Sequence, residues 1–484
     1  MKWKSHIKKL KEYSAIKPDV PASFQATLRA YQLEGFHWLS QLADWGVGAC
    51  LADDMGLGKT IQALAVIVNR GDKGPSLVVA PASVASNWRK EITKFAPSLN
   101  AINFNTSDRK KTIQELKEND VLITSYGLLQ QAATLLKEKR FETIVLDEAQ
   151  AIKNRTAKRS RAAMELKGDF KIITTGTPIE NHLGELWNLF NFLNPGLLGS
   201  LQSFQNRFAI PIEKKKDVAA QQGLKRLLQP FILRRKKDDV LLDLPSKTEI
   251  TLSVSMSEEE VAFYEALRQS AVDKLSSKDD ENANQKRFQI LAEIMRLRQA
   301  CCHPKLVTPT VNIGSAKLEL LTEVLADLIA NNHKALIFSQ FVGHLKIIEQ
   351  HLIEQNISYQ YLDGSTPLKK RSQRIDAFQD GEGDVFLISL KAGGVGLNLT
   401  AADYVIHMDP WWNPAVEDQA SDRAHRIGQT RPVTIYRLIT ENTIEEKIVK
   451  LHEHKRDLAD SLLEGTDSSG KLSAEELLQL IQER

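Results

Sequence analysis

Short apolar runs rich in β-branched residues recur along the chain with helical stretches between them: SLVVAP (76–81), VLITSY (121–126), TIVLDEA (143–149) and KIITTGTP (171–178). Runs of this length without polar alternation predict strands covered on both faces, as a parallel sheet requires. VGACLAD (47–53) predicts a further strand, followed at once by a helix over GKTIQALAVIVNR (58–70). From Leu183 to about Leu244 the strand pattern stops, and the charge runs EKKKD and LRRKKDD lie in helical or loop-like sequence. A second helical stretch runs from Ser255 to about Gln299 and holds the polar SSKDDENANQK. Alternation resumes after Ser315 with KALIFSQ (334–340), YQYLDG (359–364), VFLISLK (385–391), YVIHMD (404–409) and VTIYRLIT (433–440). The pattern predicts an α/β chain of two parallel-sheet lobes with helical insertions. The expected boundaries are a basic segment at 1–21, a first lobe at 22–244 with its insertion at about 183–244, a second lobe at 245–465 with its insertion at about 250–305, and a tail at 466–484.

Composition narrows the picture only a little. The 484 residues exceed one comfortable core. A net charge of +3 makes any nucleic-acid surface local rather than global. Three cysteines offer no disulfide framework, and adjacent Cys301 and Cys302 beside His303 lack the spacing of a zinc knuckle, so they read as buried thiols. No run approaches the roughly 20 apolar residues of a membrane span, and a soluble, intracellular protein is expected. MKWKSHIKKLKEY reads as a basic docking helix or a solvated terminus; EGTDSSGKLSAEELLQLIQER reads as a joint and a short helix with a Ser473–Glu476 capping box.

The candidate chemistry begins at LADDMGLGKT (51–60), a strand-to-helix turn that is nearly a phosphate-binding loop. Gly56 and Gly58 let backbone N–H groups approach phosphate oxygens, Lys59 can reach the β and γ phosphates, and the Thr60 hydroxyl can complete a Mg²⁺ shell. Asp53 stands where the strict pattern has its first glycine. The second half is IVLDEAQ, with Asp147 and Glu148 at a strand end, suited to holding Mg²⁺ and to orienting an attacking water. Two such motifs predict a nucleotide triphosphatase. Gln150 follows in place of a final His or Asp, a variant whose effect on coupling the sequence does not reveal.

Phosphoryl transfer gains from cations that meet charge on the γ-phosphate. In NPAVEDQASDRAHRIGQ, Asn413 is a good N-cap and Pro414 a good first helical residue, and one helix ending at Gly428 would carry Gln419, Arg423 and Arg426 on a shared face. Such a face is either a charged solvent stripe or a phosphate clamp.

The motif order resembles the SWI/SNF-related family of helicase-like DNA translocases, within helicase superfamily 2, from about Leu28 to Leu463. The residues that carry it are LRAYQLEGFHWL, DDMGLGKT, DEAQAIKN, TGTPIEN, ILRRKKDDVLLDLPSK, RLRQACCHP, IFSQF, YLDGST, LKAGGVGLNLTAADYVIHMDPWWNP and QASDRAHRIGQ. In that family the aspartate at position 53 is normal, while Gln150 replaces the commoner histidine. The resemblance implies two RecA-like lobes with ATP between them and a DNA groove across both. It implies that Lys59, Thr60, Asp147 and Glu148 carry hydrolysis, with Arg423 and Arg426 as arginine fingers and Thr60 and Asp147 at Mg²⁺. Gln32 would read adenine; Asp53, Met55, Gly56, Leu57, Gly58, Gly394 and Gln419 would complete the ATP site. Ser83, Ser125, Lys153, Asn154, Thr177, Ser365 and Lys391 are DNA-backbone candidates, and Trp412 either couples the groove to ATP or is a packed aromatic.

The implied activity is ATP-driven translocation on double-stranded DNA without strand separation, displacing a DNA-bound protein. The short insertions resemble compact bacterial or archaeal members, or the motor core of a longer protein, and the implied place is the cytoplasm at the nucleoid if prokaryotic and the nucleus if eukaryotic. A strand-separating helicase and a barely cycling nucleotide clamp are the competing readings. Basic clusters at Lys214–Lys216, Arg234–Lys237 and Lys369–Arg371 are either phosphate contacts or solvated runs.

Overall fold

The computed structural model describes residues 17–104, 108–176, 183–241, 244–276, 283–393, 397–450 and 481–482. The basic stretch before residue 17, most of the insertion's polar stretch and the Ser473–Glu476 capping box lie outside them. Seven strands, β1 (Ala49–Leu51), β2 (Ser76–Ala80), β3 (Asn100–Asn103), β4 (Asp120–Ser125), β5 (Arg140–Asp147), β6 (Lys167–Thr174) and β7 (Ile232–Leu233), form one parallel sheet in the order β3-β4-β2-β5-β6-β1-β7. Six more, β8 (Lys247–Val254), β9 (Ala335–Ser339), β10 (Tyr359–Leu362), β11 (Val385–Ser389), β12 (Tyr404–His407) and β13 (Val433–Thr440), form a second parallel sheet in the order β10-β11-β9-β12-β13-β8. The chain divides between 242 and 243 into two compact units, each with one sheet. Among the described residues no helix is long and apolar enough to cross a membrane.

The second sheet shows why continuous apolar runs mark such strands. Leu336, Phe338, Phe386, Ile388 and Val405 join one core cluster, while their chain neighbours Ala335, Ile337, Val385, Leu387 and Ile406 join another. Successive side chains point to opposite faces, so both faces need apolar residues when both are covered. Each fully buried Leu, Ile or Phe adds roughly 1.5–3 kcal/mol.

Two strands escape that pattern because they are edges. β3 is largely exposed and polar, and β8 is exposed along most of its length. An edge strand has one unpaired side, and charge there blunts association. β8 carries an ion pair along its own edge, Glu249 with Lys247 at 2.8 Å, and one to its neighbour, Glu249 with Arg437 of β13 at 2.7 Å. Burial alone pushes the Glu249 carboxyl up, but the Lys247 and Arg437 charges outweigh it and hold it at about 2. A carboxyl lowered on folding stabilises above its unfolded pKa, about 4.3, and that contribution fades as pH falls toward 2. Glu249→Gln should therefore lower the urea midpoint at pH 7 by an amount worth roughly 1–2 kcal/mol, and by much less at pH 2. An equal loss at both pH values contradicts this account.

Candidate active site

In the first unit the carboxyl ends of β1, β2, β4, β5 and β6 all open on one edge of the sheet, where ligands of parallel α/β sheets bind. The loop after β1 turns at Gly56 (φ +89°) and Gly58 (φ +75°) and enters the helix Lys59–Arg70. A Cβ on Gly58 would stand 2.5 Å from the end of the Gln32 side chain, which would have to move, and the φ itself is one that favours glycine. No side chain caps that helix, and uncapped first-turn N–H groups of this kind suit an anion.

Lys59 Nζ donates to the backbone carbonyls of Asp53 (2.6 Å) and Asp54 (3.1 Å). Burial lowers the Lys59 pKa, while Glu148, Asp53, Asp147 and Asp54 act to raise it. The two motifs, some ninety residues apart, therefore meet around one ammonium group. Thr60 follows Lys59 in the first helical turn, half-buried. Met55 and Leu57 are buried, and the Leu57 carbonyl accepts from Tyr31 Oη (3.0 Å) and Gln32 Nε2 (3.2 Å). Gln32 Oε1 accepts from the Arg29 N–H at 3.0 Å, so this side chain braces the loop.

Asp147 ends β5 and Glu148 follows it with left-handed backbone geometry at φ +51°. That turn costs about 1 kcal/mol and sends the two carboxylates to different neighbours. Asp147 Oδ1 accepts from Thr174 Oγ1 (2.6 Å) and the Glu148 N–H (3.0 Å), and its Oδ2 accepts from Trp88 Nε1 (2.8 Å). Glu148 Oε2 accepts from Gln150 Nε2 at 2.8 Å, and Gln150 Oε1 accepts from Thr175 Oγ1 at 3.2 Å. Gln150 thus joins the β5 end to the β6 end. Trp88 was not singled out by the sequence; its signal is an indole N–H on a fully buried ring, which needs an acceptor.

Asp53 is fully buried, and its carboxylate is gripped by Arg235 through Nε (3.0 Å) and Nη2, with the Arg235 backbone N–H at 3.1 Å. The guanidinium also donates to Gln62 Oε1 (2.8 Å) and the Tyr31 carbonyl and lies over the Tyr31 ring. Asp53 is therefore the anchor that ties the loop to the segment after β7. The Arg234–Lys237 cluster needs correction: Arg235 is neither solvated nor aimed at a phosphate backbone, and Lys237 is buried. In the second unit Arg371 braces the Asp363–Thr366 turn through the Thr366 carbonyl (2.8 Å), whereas Lys214–Lys216, Lys369 and Lys370 are exposed.

The helix expected to run to Gly428 ends instead at Ser421. Asn413 caps it as expected, at 3.2 Å to the Ala415 N–H. Beyond Ser421 the chain runs in turns whose carbonyls bond to other segments: Arg423 O accepts the Leu399 N–H (3.0 Å) and Ala424 O accepts Gln429 Nε2 (3.1 Å). Gln419 lies buried on the helix, but Arg423 and Arg426 lie beyond it in turns and share no helical face with it. Arg423 is 2 % exposed; Arg426 is half-buried and donates to the Leu397 carbonyl at 2.8 Å.

Of the other candidates, Ser125 caps the following helix by accepting the Leu128 N–H (3.2 Å), and Asn154 accepts from the Thr156 N–H (3.0 Å). Lys153 pairs with Glu185 at 3.7 Å. Ser365 donates through N–H (2.9 Å) and Oγ (2.7 Å) to Asp363, whose carboxyl burial pushes up but these bonds hold below the usual range. Lys391 is exposed, and Trp412 lies half-buried over the Arg298 guanidinium. Ser83 is the second residue of the helix Ala82–Phe95 after β2; its side chain, Thr177 and Gly394 lie outside the described residues.

The SNF2-related domain family matches residues 31–306 and the helicase conserved C-terminal domain family matches 316–428. The chain is 42% identical over 95% of its length to a Bacillus subtilis protein named putative ATP-dependent helicase/translocase YwqA, covering 51% of that protein. It is 37% identical over 96% of its length to the ISWI chromatin-remodeling complex ATPase CHR17 of Arabidopsis thaliana, covering 45% of it. The chain spans about half the length of these relatives. A solved Sulfolobus solfataricus SWI2/SNF2 ATPase core in complex with dsDNA is 37% identical and covers 97% of both chains, with a TM-score of 0.48.

Proposed function

The chain belongs to the SNF2-related domain family, and from that premise we propose that it is the ATP-hydrolysing core of a double-stranded DNA translocase that moves or displaces DNA-bound proteins without separating the strands. The observation that carries the reading is the convergence on Lys59 of the positive-φ glycine loop and the Asp147–Glu148 strand end.

The residues present fit Mg²⁺-ATP. The uncapped helix N-terminus and the Gly56–Gly58 turn suit phosphate oxygens. Thr60 and Asp147 would hold Mg²⁺, whose chemistry is to neutralise charge on the phosphate oxygens; Asp147 Oδ2 carries one donor where a carboxylate oxygen accepts two. Lys59 leaves the Asp53 and Asp54 carbonyls for the β and γ phosphates, and Glu148 orients the attacking water and takes its proton. Arg423 and Arg426 are proposed as the cations that meet charge on the γ-phosphate. The Gln150 amide bridges Glu148 and Thr175 with one donor and one acceptor, a pairing that a neutral imidazole reproduces. Gln150→Ala should lower turnover about tenfold with little change in KM, and Gln150→His should stay within a few-fold of wild type. Equal losses in both would remove the bridge from the mechanism.

A motor that works on any sequence touches phosphates rather than base edges, so its DNA affinity falls with salt. Steady-state ATP hydrolysis should rise with duplex DNA, less with single strands or RNA, and the rise should shrink at higher salt. Equal stimulation by single strands or RNA points to a helicase. No stimulation, with turnover no higher than in Lys59→Ala, points to a clamp.

A further inference from the structure

We propose that Cys302, His344 and Asp409 of the second unit form a structural site for a divalent transition metal of the zinc class. Cys302 ends the helix Ala283–Cys302, His344 sits in the first turn of the helix Val342–Glu354, and Asp409 follows β12. A ligand atom from each lies within 4.8 Å of the other two. All three residues are buried, at 0 %, 0 % and 1 % exposed.

The second observation is His344 itself. Neither ring nitrogen has a hydrogen-bond partner, although buried polar side chains normally find one. A metal takes the lone pair of one nitrogen, which answers half of that deficit. Tetrahedral bonds to sulfur, nitrogen and oxygen bring ligand atoms to about 3.3–3.6 Å from one another, so binding draws this set in by at most roughly 1.5 Å. Mixed thiolate, imidazole and carboxylate donors suit Zn²⁺ and not the all-oxygen shells of Mg²⁺ or Ca²⁺.

The surroundings support the assignment. Thiolate and carboxylate together cancel a 2+ ion, so the loaded site adds no net charge to the core. Asp409 is oriented by the Ser339 hydroxyl and by the Gln340 N–H at 3.3 Å, the kind of outer contact that fixes a metal-binding carboxylate. The nearby Lys317 ammonium is already matched by Glu445, at 2.8 and 2.6 Å. Arg298, fully buried, donates to the Pro410 carbonyl and lies against Phe341 and Trp412; its Nε and Nη1 have no hydrogen-bond partner among the described residues, and its charge favours the ionised Asp409 carboxylate. Neighbouring His303 is not part of the set, since its Nδ1 accepts the Lys305 N–H at 3.2 Å, and Cys301 packs into an apolar cluster. The metal would pin the end of the inserted helix to the strand end that leads to Trp412.

The test uses the full untagged chain, purified with reductant, stripped by chelator and titrated with Co²⁺. One equivalent should bind, giving a thiolate-to-cobalt charge-transfer band and the strong visible bands of a tetrahedral ion, and Zn²⁺ should displace it. Cys302→Ser should lose the charge-transfer band, and His344→Gln should weaken Co²⁺ binding by at least roughly tenfold. Because either variant can disturb folding, the wild type is also melted with Zn²⁺ and with chelator; a higher midpoint with Zn²⁺ is expected. A wild-type chain with no thiolate–cobalt band, or a Zn²⁺-independent midpoint, overturns the proposal. So does Cys302→Ser with an unchanged spectrum.

Discussion

Glu148→Gln is expected to cut ATP turnover by about 10²–10⁴-fold, the usual contribution of a positioned base, while ATP binding persists. Glutamine keeps the size of the side chain and still offers Gln150 an oxygen, so the bridge to Thr175 is retained. The loss then falls on kcat rather than on affinity. The persistence of binding is read from the rise in melting temperature on adding ATP, which at a fixed ATP concentration reports binding rather than turnover. Turnover within tenfold of wild type would assign the base to another residue. Loss of the ATP-dependent melting shift would instead mean that Glu148 serves to shape the loop.

Arg235→Met carries the second large expectation, and it concerns stability. Asp53 is fully buried, and its carboxylate would lose both guanidinium contacts. Removing one partner of a buried pair costs about 3–5 kcal/mol, because the remaining charge is stranded. For a unit of this size that is a fall in melting temperature of roughly 6–20 °C. Arg235→Lys should recover only part of it, since an ammonium cannot copy the two-pronged contact. The double variant Asp53→Asn with Arg235→Met should be more stable than Arg235→Met alone, because no buried charge is left behind. A single variant within about 1 kcal/mol of wild type would refute the stranded-charge account.

These two residues differ in how far the sequence revealed them. Glu148 sits at the end of an apolar strand in a motif whose chemistry follows from residue type and position, so its place beside Lys59 was expected. The role of Arg235 was not, because LRRKKDD reads as a charge run and nothing local says which member turns inward. The partner, Asp53, lies 182 residues away and looked like an irregularity in a phosphate loop. The helix from Pro414 was extended too far for the same reason. Its start is written in Asn413 and Pro414, whereas past Ser421 the chain turns and bonds to Leu399 and Gln429, which local pattern does not record.

The sequence by itself determined the two parallel sheets, the strand-end loops and the glycine, lysine and acidic residues on them. These are set by hydrophobic period and by backbone conformations that only certain residues adopt, both of which act over a few positions. Tertiary structure alone decided the edge strands β3 and β8, the Asp53–Arg235 pair, the Gln150 bridge and the meeting of Cys302, His344 and Asp409. Each depends on which distant segments the packed sheet brings within hydrogen-bonding or coordinating reach, and short-range pattern carries no record of that distance.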